Sequence, residues 1–145
     1  MRKLVLTFIG ALALAAPAQA SSPKPGASYL GSTSQGELIG FDVSKSGKKV
    51  LALDTSLTYT CTGEHDGQAG SFVLNDIKVK ASVFSSKQTL KGTSATSVVS
   101  SGLGTIKGTF KTKGSRAKGS LRSKLELTGG ETCDSGRVTF TALVQ

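Results

Sequence analysis

The sequence predicts an all-β fold: a small antiparallel sandwich or barrel of about seven to nine strands, joined mostly as sequential hairpins. Three observations support this. Apolar residues recur at every second position in several stretches, most clearly over 51–61. Glycine-bearing turns separate most of these stretches. No segment after residue 20 has the 3.6-residue spacing of an amphipathic helix. Alternation is informative because successive strand side chains leave opposite faces of a sheet. Ser, Thr and Gly make up 52 of the 125 residues after Ala20. A disordered chain of that composition has no reason to keep such a period.

Residues 1–20 have the three-part layout of a secretory signal peptide. Arg2 and Lys3 form a basic start, residues 4–16 a short apolar run, and Ala18-Gln19-Ala20 a small-x-small cleavage triplet. The run is too short for a permanent bilayer anchor. The expected product is a secreted, extracellular chain starting at Ser21, with no membrane span. Pro23, Pro25 and Gly26 disfavour regular structure, so 21–35 is expected as a flexible lead-in and 36–145 as a single β-domain.

From Gly36 the strand signals follow in order. Ile39, Phe41 and Val43 alternate with Gly40 and Asp42, and a turn follows at 44–48. Leu51, Leu53, Thr55, Leu57, Tyr59 and Cys61 share one face of a long strand. After a polar, glycine-bearing loop at 62–70, strand character returns at 71–74 and at 77–83, with Asn75-Asp76 a turn or bulge between them. Residues 85–91 are ambiguous, and 92–102 read mostly as loop. The clearest hairpin is 104–127, with Gly114-Ser115 as a two-residue turn. That register sets Phe110 opposite Gly119 and Gly108 opposite Leu121. Val138, Phe140, Ala142 and Val144 form the inner face of a last strand.

The two cysteines, Cys61 and Cys133, read as one disulfide in an exported chain. It closes a loop of about 73 residues, for which the chain-entropy model gives about 4 kcal/mol. The formal net charge is +9 and falls to +7 without Arg2 and Lys3. This favours solubility and attracts anions without naming a partner.

The outer face of the hairpin gathers seven cations. In the two-residue-turn register Lys113 faces Arg116, Lys111 faces Lys118 and Lys107 faces Arg122, with Lys124 one step further. Like charges directly across a ladder destabilise it by about 0.2–1 kcal/mol each. Folding alone therefore gives little reason for the arrangement. The functional reading is an anion-binding face for a polyanion such as an anionic cell-envelope polymer. The competing reading is that strand lysines block edge aggregation. Nucleic acid ranks below other polyanions because Phe110 points inward, and single-strand binders interleave exposed aromatics with their cations. The alternative function is a secreted protein–protein interaction module, such as a hydrolase inhibitor, acting through loops 62–70 and 92–102.

Glu64, His65, Asp66, Glu131 and Asp134 lie near the two cysteines, so a disulfide gathers carboxylates and the only imidazole at one pole. Their spacing matches no calcium or zinc loop, so no metal and no cofactor are assigned. Catalysis is not expected either. There is one histidine, no Gly-x-Ser-x-Gly elbow and no free cysteine nucleophile, and Trp is absent as a sugar platform.

Four phrases occur together: Ser28-Tyr29-x-Gly31, Thr33-Ser34-Gln35-Gly36, Tyr59-Thr60-Cys61 and Cys133-Asp134-Ser135-Gly136-Arg137-Val138. They resemble a loose group of small secreted all-β bacterial proteins, actinobacterial in type and of unassigned function. The resemblance implies an exported bacterial β-domain with one disulfide and brings no catalytic residues.

Overall fold

A computed structural model describes residues 21–90 and 99–145. The proposed signal peptide and residues 92–98 of the expected loop lie outside them. The strands are β1 (Ser28–Thr33), β2 (Leu38–Val43), β3 (Lys49–Thr58), β4 (Thr60–Cys61), β5 (Ala69–Lys80), β6 (Val83–Leu90), β7 (Val99–Lys111), β8 (Arg116–Leu127), β9 (Thr132–Asp134) and β10 (Val138–Val144). All pairings are antiparallel. Eight strands close a ring in the order β10-β1-β2-β3-β5-β6-β7-β8, with β8 pairing back to β10. The sandwich-or-barrel alternative thus resolves to an up-and-down barrel, with β9 and β4 as a flap on β8. Closure pairs every strand of the ring on both sides, most briefly between β5 and β6, where only Val79–Phe84 and Lys80–Val83 face each other.

An eight-stranded barrel is just wide enough for side chains to fill its interior. Tyr29 stacks on Phe41 with ring centroids 4.9 Å apart, and Phe84 lies 5.1 Å from Phe110. Ile39, Leu53, Phe72, Leu74, Ile106, Leu121 and Phe140 are among the other buried core residues. Room for the rings comes from glycines in the wall. Gly108 pairs with Gly119. A Cβ on Gly108 would lie 2.2 Å from Phe84 Cζ, and one on Gly119 would lie 2.7 Å from Phe140 Cε1. Side chains that project outward include lysines, serines and threonines. Among the described residues, no helix is long and apolar enough to cross a membrane.

Several expectations need correction. The lead-in expected over 21–35 contains β1, and Tyr29 is among the most buried side chains. Its hydroxyl donates to the Gly114 carbonyl and accepts from the Lys24 N–H at 3.1 Å, while Pro23 is buried beside that turn. The two prolines mark a tight packing point here, not a mobile tail.

In β3 the inward set is Val50, Leu53, Thr55 and Leu57, and Leu51 is exposed. The register shifts between Phe41 and Val43, so a bulge reverses the alternation at 50–52. Cys61 is half-buried on β4, because the chain leaves the barrel after Thr58 to pair with β9. Residues 85–90 belong to β6, and the end of the expected loop, from Val99, belongs to β7.

Candidate functional site

The β7–β8 hairpin positions the seven cations, and its turn decides how they face one another. The turn spans four residues, 112–115. Thr112 and Lys113 have φ of 53° and Gly114 has 77°. Gly114 N–H donates to Lys111 O at 3.0 Å, and Ser115 N–H donates to Thr112 O at 3.1 Å. Two non-glycine residues thus adopt the left-handed conformation expected of glycine alone.

Relative to the two-residue turn, the register moves by two. Phe110 faces Ala117, Gly108 faces Gly119 and Ile106 faces Leu121. The same move keeps the six strand cations on their original face but changes their partners, while Lys113 leaves the ladder and lies in the turn. Lys111 faces Arg116, Lys107 faces Ser120, Lys118 faces Thr109, Arg122 faces Thr105 and Lys124 faces Leu103. Of the three like-charge pairs expected, none forms as drawn, and one new pair, Lys111–Arg116, replaces them. Lys107, Lys118 and Arg122 sit in a checkerboard with hydroxyl side chains, diagonal neighbours being about 7–8 Å apart.

All seven cations are exposed. Two of them are engaged. Arg122 grips Asp134 with two nitrogens, Nε donating to Oδ1 at 2.8 Å and a second guanidinium nitrogen donating to Oδ2. Lys124 Nζ lies 3.7 Å from the same carboxylate. The Arg122 hydrogen bond is the main cause that lowers the Asp134 carboxyl to about 2, and the Gly136 N–H adds to it. Asp134, expected at the acidic pole, therefore joins the basic wall through the β8–β9 ladder. Lys107, Lys111, Lys113, Arg116 and Lys118 have no carboxylate within ion-pair distance among the described residues.

Sequence reasoning missed two further cations. Lys87 on β6 faces Thr105, and Lys80 on β5 faces Val83 in the row that continues to Thr109 and Lys118. The alternation of Lys78 and Lys80 was visible in the sequence. What was not visible was that β6 pairs with β7, which brings those strands beside the hairpin.

The disulfide forms between Cys61 and Cys133. The remaining residues of the acidic cluster are divided among separate tasks. His65 Nδ1 lies 2.7 Å from Glu131 Oε2, and its backbone N–H donates to Glu131 Oε1 at 3.1 Å. This carboxylate raises the imidazole pKa, and the imidazole lowers that of Glu131. Asp66 accepts from the Cys61 N–H at 2.9 Å, and Glu64 points to solvent. Cys61, Glu131 and Cys133 come close enough to suggest a ligand set, but both sulfurs are bonded to each other, which removes their thiolate character. In the comparisons with known proteins no family, no curated sequence and no solved structure matches this chain.

Proposed function

We propose that this chain is an exported, non-enzymatic binding module that holds anionic polymers of the cell envelope against the outer face of β7 and β8. One observation carries the reading. Lys107, Lys111, Arg116 and Lys118 stand exposed without carboxylate partners, although acids elsewhere on the chain form ion pairs at Lys49 and Arg122. The checkerboard supports it further. Each phosphate or carboxylate of a polymer fits between diagonal cations, and the Ser and Thr hydroxyls between them donate hydrogen bonds. The barrel wall fixes the backbone spacing of the cations, so the ordering cost on binding is confined to their side chains, about 0.5–1.5 kcal/mol each.

Polyphosphate and heparin resins test it. Four phosphate contacts to a flexible strand give a slope of about −0.7 per contact in log affinity against log salt, so affinity falls about 20-fold from 0.1 to 0.3 M salt. Retention beyond about 0.3 M salt is expected of the native chain, and Lys107→Glu/Lys118→Glu should elute near 0.1 M. Elution of the native chain below about 0.1 M, or equal retention of the variant, defeats the proposal.

A further inference from the structure

The wall of β1, β2 and β3 differs in character from the cation wall. Gly40 forms the floor of an open groove of about 720 Å³, with Leu30, Leu38 and Ala52 on its sides and Glu37, Asp42 and Asp54 around it. Leu38 is 69% exposed and Leu30 46% exposed, and Leu143, paired with Leu30 on β10, is 47% exposed. Patches of this kind, apolar with a polar rim, mark interaction sites. No lysine or arginine lines the groove, although the chain has twice as many cations as acids. Asp42 accepts from the Ser28 hydroxyl at 2.5 Å. Glu37 and Asp54 form no ion pair among the described residues.

Ring order supplies the partner. In a ring of eight, β2 and β7 are four strands apart in either direction, and so are β3 and β8. The acidic, leucine-edged groove therefore lies diametrically opposite the cation wall. We infer that the groove receives the β7–β8 face of a second copy of this chain, so that barrels associate front to back. The contact is heterologous, because the two faces differ, and a front-to-back contact on opposite walls extends into open chains of copies and does not close a dimer. The groove and the cation wall both lie on strands whose ladders are paired on each side, so their contact is face to face. Lysine stems lie across Leu30 and Leu38 while their ammonium groups reach Glu37, Asp42 and Asp54. Val83, exposed in the same row as Thr109 and Lys118, adds an apolar point on the cation side.

This inference does not rest on polymer binding, and the two can fail separately. The test uses the processed chain from Ser21 and two exposed double variants, Glu37→Lys/Asp54→Lys and Lys107→Glu/Lys118→Glu, each checked for an unchanged far-ultraviolet dichroism spectrum. Sedimentation equilibrium at about 20 mM salt should show the mass-average mass of the native chain rising about twofold or more between roughly 10 and 500 µM, as weak, small interfaces do. At about 0.5 M salt it should return to that of one chain. Each variant alone should stay monomeric. Their mixture should associate, because the cation wall of the first fits the groove of the second. A native chain that is monomeric throughout overturns the inference, as does association of the Glu37→Lys/Asp54→Lys variant alone. The groove variant gains four positive charges, so polymer binding is read instead from the native chain on the resin at concentrations where sedimentation shows it monomeric.

Discussion

The two ends of the barrel are closed by different kinds of interaction. At the end of the β7–β8 turn, Tyr29 packs between Phe41 and Phe110 and ties the Gly114 carbonyl to the Lys24 N–H, with Ser21 Oγ accepting from the Lys113 N–H at 3.2 Å. At the other end β4 leaves the barrel. A cavity of about 110 Å³ remains there, lined by Tyr59, His65, Gly70, Leu125 and Leu127. The Cys61–Cys133 bond and the His65–Glu131 pair tie that region to β9. One end is held by rings and by hydrogen bonds of the Tyr29 and Ser21 hydroxyls to backbone groups, which respond to little but mutation. The other is held by a covalent bond and a titrating pair, which respond to reductant and pH. Stability of the whole should therefore depend mostly on the first end, and environmental sensitivity on the second.

The largest effect should come from the ring cluster. Phe110 is fully buried and contacts Tyr29, Phe41 and Phe84. Phe110→Ala should cost about 3–5 kcal/mol, since neighbouring strands are fixed by their ladders and collapse only partly into the void. Thermal unfolding followed by dichroism should show the midpoint falling by on the order of 12 °C. A fall as small as about 3 °C would mean that this end is loosely packed and that the contrast is false.

Removing the covalent link comes next. Cys61→Ser/Cys133→Ser should lose about 2–4 kcal/mol, because the 72-residue separation no longer restricts the unfolded chain. Hydrogen exchange should sharpen the comparison. In the variant, amides of β4 and β9 should exchange faster than those of β1 and β10, whose ladder stays complete. Uniform loss of protection across all strands would instead mean that the two ends unfold as one unit.

How far these features were legible in the sequence follows from the range of the interactions. Alternation is local, so its period alone assigns Ile39, Phe41, Leu53, Leu57, Phe110, Leu121 and Phe140 to the inward face, and all are buried. The disulfide was legible because only two cysteines exist. Register was not. It depended on Thr112 and Lys113 taking positive φ, which their residue types disfavour and which the Ser21–Pro25 segment and Tyr29 hold in place from a distant part of the chain. Ring closure was hidden for a related reason. β1 follows two prolines and carries glycine and serine among its few apolar residues, so its pairing with β10 is a long-range fact without a local sign. A register shift of two preserves the side of the residues that stay on the strands, so Lys107, Lys111, Arg116, Lys118, Arg122 and Lys124 share one side although all three expected cross-strand pairs were wrong, and Lys113 falls in the turn.

The smallest effect concerns the titrating pair, and its direction follows from the two shifts. The Glu131 hydrogen bond raises the His65 pKa above 6.5, so its contribution is complete below about 6.5 and fades as pH rises through the folded value. The same bond lowers the Glu131 pKa below 4.5, so its contribution is complete above about 4.5 and fades as pH falls through its folded value. The two windows overlap between about 4.5 and 6.5, and there the loop over residues 62–68 should be held most firmly. The pair ties one loop to β9 outside the barrel core, so the effect should be local and global stability should barely move. The readout is instead local: the ratio of exchange rates for the His65 and Thr62 amides to that of a β7 amide, corrected for intrinsic pH dependence, should pass through a minimum near pH 5.5 and lose that minimum in Glu131→Gln. A flat ratio across pH 4 to 8 in the native chain would show that the disulfide alone holds this end. The difference between the two ends would then be one of covalent against non-covalent closure, with no pH sensitivity of its own.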